Sequence, residues 1–577
     1  MAAAPSGRRF AYPQEVPASS TEEQQAPLLG SGKDKGATKE PKVSYLSLPK
    51  KMQLAVLCIA RMADPLTSTS IQSYMFYQLK FFEPTASDAR LSTQAGIIVG
   101  AKTAAQVCTG MLWGRLADSD WGGRKTVLMI GLLSSCISSI GHGFSTTFWA
   151  AVAWQVFGGA MSSNVAITRC VVAELNPEKR YRTRALLLLP LCASAGMLLG
   201  PLVGGLLSPV VEGKGPHRAY PYAPPNICIA AIDILAAIGV FWKLEETLES
   251  LRDTEGSFAR RKLRQVISYF SRTTPKSPAY VAVAGEEQNA SISEVELPPT
   301  SSAANARDIT QVSTRGKPKG KLAFHRIWTF NVLCTLLAQF IIAGHLSTFA
   351  NLWAIFLSTA VASPGHQHPP FKFTGGLGMP PREVGFALST LGAVGVVLQL
   401  AIYPTLNDRF GTVKIWRGAL FVFPIVYVVA PFPSLAASTS SAAGSTAVVW
   451  LAMGSVLLLF VVGRTGVTPA TTLLINDCTP HPSVRGTIHT SATVTGNLSR
   501  SIFPVVALAL FGEGLRIGVV GLGFWCLAGL ASLACVASRW VTEGSNGKDI
   551  VLEGDEEEPE TIRGPSEDST RKIRRRS

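Results

Sequence analysis

Several ionisable side chains lie inside stretches too apolar to hold them without a reason. Arg61 and Asp64 sit three residues apart in an apolar run, with Pro65 directly after the aspartate. On a helix that spacing puts both on one face, within pairing reach, and the proline frees backbone groups beside them. Two chemistries fit the pair. Either the carboxylate takes up and releases a proton while the arginine alternately holds and frees it, or the two form a packing clamp. Asp233 is the next carboxylate, suited to cycling between charged and neutral forms or to serving as an arginine's counter-ion. Lys102, Arg169, His345, Arg464, His489 and Arg500 complete the set, and His345 reads as either a proton carrier near neutral pH or an interhelical hydrogen-bonding residue. A charge in hydrocarbon is costly unless it faces a cavity or a partner. Arg61, Asp64, Asp233, His345, Arg169 and Arg500 are therefore the candidates for proton coupling or a solute cavity.

Such groups need elements to position them. The chain has 577 residues, 47% hydrophobic and only 16% charged, with a mean hydropathy of +0.26. Its charges gather outside long apolar runs, as in membrane proteins. Windows of about 20 residues, enough for a helix to cross roughly 30 Å of hydrocarbon, fall at 52–75, 94–117, 125–143, 147–172, 185–208 and 226–244. A second series follows at 326–360, 384–405, 414–432, 447–475, 486–511 and 516–540, where 326–360 is long enough to include an extracytoplasmic extension. The expectation is an all-α membrane protein with helical bundles at 52–244 and 324–540, a cytoplasmic linker at 245–323, and disordered cytoplasmic tails at 1–51 and 541–577.

Positive charge sets the orientation. Arg115, Arg124 and Lys125 crowd the turn after the second span, and Lys179, Arg180, Arg182 and Arg184 the turn after the fourth. No Lys or Arg occurs between Gly141 and Thr147 or between Pro431 and Val448. Both chain ends are thus expected in the cytoplasm. The linker's Arg260-Arg261-Lys262 run suggests a basic amphipathic helix at 258–270 lying on the membrane surface.

Other function classes find little support. The net charge of +15 has no nucleic-acid motif beside it and is explained by cytoplasmic loops. Nine of the ten cysteines lie within apolar runs and no C-x-x-C pair occurs, so they read as small core residues. His366 and His368 supply two metal ligands where a tight site needs more, and no metal or other cofactor is expected. Gly30-Ser31-Gly32-Lys33 lacks the Ser or Thr of a phosphate loop, because Asp34 follows. No nucleophile and base are grouped, so the chain does not read as an enzyme. Asn289 and Asn497 head glycosylation triplets, one in the expected linker and one in a span, and neither is expected to be modified.

Motifs carry the reading further. Gly196, Gly200 and Gly204 recur at i, i+4 and i+8 on one helix face, with Pro201 and Gly205 completing Gly-x3-Gly-Pro-x2-Gly-Gly. Bare backbone on one face admits a neighbouring helix at close range. The turn Gly114-Arg115-Leu116-Ala117-Asp118 leads to Gly123-Arg124-Lys125, and after the eighth span Pro404-Thr405-Leu406-Asn407-Asp408-Arg409-Phe410-Gly411 echoes it. Repeated halves are a hallmark of secondary transporters.

Together these stretches resemble the major facilitator superfamily. The glycine string is similar to the fifth-helix signature of its drug:proton antiporters, and the first turn resembles the loop signature G-x-L-x-D-x-x-G-R-K with two extra residues after Asp118. Arg61-x-x-Asp64-Pro65, Leu244-Glu245-Glu246-Thr247-Leu248, Leu474–Pro480, Arg485–Ile488 and Arg500–Pro504 resemble the fungal and plant zinc-induced-facilitator-like branch. The resemblance implies two six-helix bundles that rock about a central cavity. Gly114, Asp118, Arg124, Lys125, Asp408, Arg409 and Gly411 would act as conformational-switch loops, and Gly196, Gly200, Pro201, Gly204 and Gly205 as the packing motif. The implied activity is proton-coupled export of a small organic solute, drug or metal chelate. A facilitative uniporter or a non-transporting nutrient sensor would retain the same spans. Two departures stand out: Trp154-Gln155-Val156-Phe157 replaces the fourth-span arginine, and Ser162-Ser163-Asn164 the branch's Asn-Gly-Asn. The expected partners are the solute, protons and the lipid bilayer, with the protein a monomer. Glu22, Glu23, Leu28 and Leu29 resemble an acidic dileucine signal, so plasma membrane and vacuolar membrane are the expected locations.

Overall fold

The computed structural model describes residues 48–119, 122–176, 178–209, 219–248, 324–438, 443–481 and 484–544. Most of the two tails, nearly all of the linker with the surface helix expected at 258–270, the Gly30–Lys33 string, the Asn289 triplet and the dileucine stretch lie outside the described residues. Twelve helices are long and apolar enough to cross a membrane, and among the described residues there are no β-strands, only isolated bridges such as His368 with Lys372. The expected all-α, twelve-span fold is the fold observed.

The first six helices are α1 (Lys51–Phe82), α2 (Asp88–Ala117), α3 (Arg124–Gly143), α4 (Phe148–Leu175), α5 (Lys179–Leu207) and α6 (Ala223–Lys243). The second six are α7 (Phe330–Ser358), α8 (Pro381–Phe410), α9 (Thr412–Ser438), α10 (Ala443–Asp477), α11 (Arg485–Ile517) and α12 (Leu522–Ala537). Side-chain caps start several of them. Ser87, Thr147 and Thr329 accept from the backbone N–H groups of Arg90, Ala150 and Val332, groups that have no partner within their own helix.

Proline shapes the second half. Pro404 has no N–H to bond the carbonyl four residues back, and just before it α8 widens into a π turn at Leu398–Ile402. Pro424 likewise cannot bond Leu420, and α9 breaks at Phe421. The region 326–360 holds one 29-residue helix from Phe330 to Ser358, about 43 Å long, and no further helix follows it directly. Instead the following loop folds back, and Gly376, Leu377, Gly378 and Met379 donate N–H groups to the carbonyls of Ala360, Phe356, Thr359 and Leu357 at 2.8–3.2 Å. The last carbonyls of α7 are thereby satisfied without more helix.

Within the first half, α1 packs on α5 and α6, α3 on α6 and α2 on α4; within the second, α7 packs on α11 and α12, and α9 on α10 and α12. The halves meet chiefly through α2 with α11 and α5 with α8. These contacts are confined to one end. Along α2 and α11 they run from Ala89 beside Gly512 to Gly100 beside Ser501, and an added methyl at Gly110 or Gly114 farther along would meet nothing. Along α5 and α8 they run from Gly205 beside Pro381 to Ser194, which donates to Gln399 at 3.3 Å. Gln72 donates to Asn351 (3.0 Å), and the Tyr77 hydroxyl donates to the Met379 carbonyl (2.6 Å), closing the same end. That end is opposite the one where α1 begins and α12 finishes, so the halves part at the latter end.

Candidate functional site

The parting of the halves leaves a cleft lined by the intramembrane charges. At 1.5 Å per residue, Arg61 lies about 15 Å and Asp64 about 20 Å from the start of α1, Arg500 about 22 Å from the start of α11, Arg464 about 20 Å from the end of α10, and Arg169 about 9 Å from the end of α4. Arg169 and Arg500 are exposed despite that depth, and Arg61, Asp64 and Arg464 are half-buried, as expected for residues lining an aqueous cleft. Arg61 is within electrostatic reach of Asp64, Arg169 and Arg500, and Arg464 of Arg500. Arg500 stands where α2 and α11 lose contact.

Arg61 and Asp64 share a helix face without forming a hydrogen bond or ion pair among the described residues, and Nε of Arg61 is buried with no hydrogen-bond partner. Lys102 on α2 donates from Nζ to Ser68 Oγ (3.2 Å) and is within electrostatic reach of Asp64 and Asp233. Asp233 is fully enclosed, and neither carboxylate oxygen is hydrogen-bonded. His345 lies elsewhere. Its Nδ1 contacts the Tyr427 hydroxyl at 2.8 Å and its ring packs against Phe423, inside the aromatic core that Phe349, Trp353 and Phe460 build in the second half. The structure thus brings Arg61, Asp64, Arg169 and Arg500 to one cleft, puts Asp233 behind Lys102, and sets His345 apart.

The glycine ladder divides between two neighbours. A methyl at Gly196 would come within 2.7 Å of the Met62 carbonyl, and one at Gly200 within 2.6 Å of the Leu66 carbonyl; one at Gly204 would run into the Ser70 carbonyl, so all three face α1. Gly205 faces α8, where an added methyl would lie 2.6 Å from the Pro381 carbonyl, and Pro201 presents its carbonyl to Gly385. The motif therefore packs one contact inside the first half and a second between halves.

The two turns share a backbone. Gly123 (φ 76°, ψ 161°) precedes α3 and Gly411 (φ 79°, ψ 159°) precedes α9, a left-handed region that glycine enters without steric cost. In the first turn Arg124 bonds Asp118 at 3.3 Å and forms an ion pair with Glu174 at the end of α4. Buried Glu246, just past α6, accepts from the backbone N–H groups of Arg124 and Lys125 at 3.0 Å each, closing the positive end of α3. In the second turn Glu543, just past α12, accepts from the N–H of Val413 at 3.1 Å. Arg409 lies over the Phe410 ring, 5.5 Å from its centroid, and Asp408 is exposed. Gly114 faces open space. Glu246→Gln is expected to lower stability by about 1.5–3 kcal/mol, the usual size for hydrogen bonds to a charged group. An unchanged thermal unfolding midpoint in detergent would show that the charge adds nothing over a neutral acceptor.

The Major Facilitator Superfamily profile matches residues 56–504. The chain belongs to this superfamily. Among the relatives of this facilitator, the Major facilitator superfamily multidrug transporter mfsB of Aspergillus fumigatus is 28% identical over 532 residues, covering 87% of this chain and 85% of the relative. Protein ZINC INDUCED FACILITATOR 1 of Arabidopsis thaliana is 20% identical over 380 residues, covering 64% of this chain and 68% of the relative. The solved D-xylose-proton symporter superposes with a TM-score of 0.58 at 13% identity, over 88% of this chain and 100% of that one, a likeness of fold. Both sequence relatives agree with the branch that the motifs resemble. A major facilitator protein is a multi-pass membrane transporter of small molecules, not an enzyme.

Glu174 is the partner that sequence reading misses. It stands at the end of α4, fifty residues from Arg124, and a lone acid beside a loop gives no sign of which cation it will meet. Glu246 stood in a recognised motif, but its role appears only once α6 is laid beside α3.

Proposed function

We propose that this facilitator exports a small organic solute from the cytoplasm in exchange for protons, by alternating access. The observation that carries this reading is the cleft. Among the described residues the halves touch at the end away from the start of α1 and the finish of α12, and the charged cluster of Arg61, Asp64, Arg169 and Arg500 lines the opening at the other end. Lys and Arg crowd the turns at the open end, with Arg115, Arg124, Lys125 and Arg184 among them, so that end faces the cytoplasm. A rocking motion that seals it and opens the α2–α11 and α5–α8 contacts would carry bound solute outward. The glycines at those contacts favour such a motion, since backbones meet there with few side chains to unlock.

Asp64 is the proton carrier in this scheme. It is half-buried on a cleft-facing helix, with the cations Lys102 and Arg61 within electrostatic reach. Asp233 is the second carboxyl on the same side. The solute is drug-like or a metal chelate, in line with the Aspergillus fumigatus relative, a multidrug transporter. The protein works as a monomer in the plasma membrane or the vacuolar membrane, with both termini cytoplasmic.

Sealed vesicles containing the purified protein test this reading through an internal pH dye, while cationic drugs, organic acids and metal chelates are added in turn. Solute-dependent proton movement is expected. Solute equilibration without proton movement would make the protein a uniporter, and binding with neither would make it a sensor.

A further inference from the structure

We propose that the cleft is an anion site: it takes a small organic solute carrying a carboxylate or phosphate group, held between Arg61 and Arg169 of one half and Arg464 and Arg500 of the other. The inference rests on the transport reading for its direction of movement, but not for the binding itself. Elsewhere among the described residues, three arginines have acidic partners. Arg124 meets Asp118 and Glu174, Arg90 meets Glu83, and Arg516 meets Glu513. In the cleft four arginines on four helices form a chain of like charges, with Arg61, Arg169 and Arg500 within electrostatic reach of one another and Arg464 within reach of Arg500, and among the described residues none has an ion-pair partner. Arg61 Nε is buried without any acceptor.

An arginine does not escape such a setting by losing its proton, because the guanidinium stays charged throughout the physiological range. Asp64 and Asp233 do not balance the group, since Lys102 shares their side of the first half. Among the described residues five cations stand near two carboxylates, a surplus that a bound anion would offset. Guanidinium forks match the paired oxygens of carboxylate and phosphate. Beside Arg464 a cavity no larger than a water molecule lies between α5, α8 and α10, lined by Ser194, Gln399 and Thr465.

The placement has a mechanical meaning. Arg61 and Arg169 lie across the opening from Arg464 and Arg500, so an empty cleft resists closure at its open end through like-charge repulsion. An anion between the two pairs removes that repulsion and bridges the halves. The solute then supplies the differential interaction that any ligand-driven change of state requires.

The full chain in lipid nanodiscs at constant ionic strength tests this with fluorescein and rhodamine 123, which share a xanthene frame and carry opposite charge. Fluorescein anisotropy is expected to rise to saturation, while rhodamine 123 gives no saturable signal. Displacement of fluorescein by citrate or by glucose 6-phosphate separates carboxylate from phosphate preference. Arg169→Gln and Arg500→Gln should each weaken fluorescein binding about tenfold or more, the loss of one charged contact, and Arg500→Lys should recover part of it. Unchanged thermal midpoints keep a folding defect from imitating the result. Absence of saturable fluorescein binding, rhodamine 123 binding that equals it, or equal fluorescein affinity in both glutamine variants would overturn the inference. No gradient enters the measurement. Fluorescein binding without proton flux would therefore sink the antiport reading alone, and flux driven by a cationic drug without anion binding would sink this inference alone.

Discussion

Asp64→Asn is expected to abolish solute-driven proton movement, by about a hundredfold or more if the group transfers the proton, while expression, membrane insertion and thermal midpoint stay close to those of the parent. Asparagine keeps the shape and one accepting oxygen but has no proton to exchange. The folding expectation follows from the surroundings: Asp64 makes no ion pair among the described residues, and its neighbours on α1 are fixed by other contacts, such as the Thr69 hydroxyl on the Pro65 carbonyl at 2.7 Å. The pH dye reports the coupled flux, and tracer equilibration without a gradient reports whether the cleft still moves solute. Undiminished proton flux in the variant would remove Asp64 from the mechanism and leave Asp233 as the remaining carboxyl to examine.

Gly200→Leu should be the most disruptive single change in the packing. A side chain there starts 2.6 Å from the Leu66 carbonyl and 3.1 Å from the Ser70 nitrogen, and collides with the Thr69 hydroxyl. Backbone atoms of a packed helix cannot step aside as a flexible side chain does, so α1 and α5 must separate, at a cost of about 1–3 kcal/mol or more. The expected outcome is loss of monodisperse protein and of transport together. Gly454→Leu is the matched control, because Gly454 on α10 is exposed and meets nothing within 4 Å. Equal behaviour of the two variants would mean that the close α1–α5 contact does not hold the protein together.

How much of this was legible beforehand depends on the range of the interaction. All twelve spans were visible, because the length and apolarity that let a helix cross a bilayer are properties of one segment. Their ends were less so. α1 runs to Phe82 where the apolar window stops near 75, and α2 starts at Asp88 where its window opens near 94, since helix continues past the hydrocarbon into polar residues. The π turn of α8 and the break of α9 could have been suspected from Pro404 and Pro424, but proline bends, widens or breaks a helix according to its neighbours. The interruption of α4 between Met161 and Asn164 contains no proline at all. For the site, the charges announced themselves by their apolar surroundings. Their grouping did not: nothing in the sequence separates His345, enclosed by aromatic rings, from Arg500, open to the cleft, because which side of a helix faces water is decided by helices far away in sequence. The glycine ladder similarly declared a close contact without declaring that Gly205 serves a different neighbour from Gly200.

The paired carboxylates Glu246 and Glu543 bear on how the molecule is organised. Each stands a few residues beyond the last helix of its half and closes the third helix of that same half. Related ties bind the same exits to the first helix of each half, with Lys50 3.9 Å from Glu245 and the Asn331 amide on the carbonyls of Thr542 and Gly544. A half severed just after its exit segment would keep every one of these fastenings, and one severed at the last helical residue would lose them all. Each set of six helices is thus fastened by a short latch, and coexpressed halves should reassemble only when the cut leaves the latch attached.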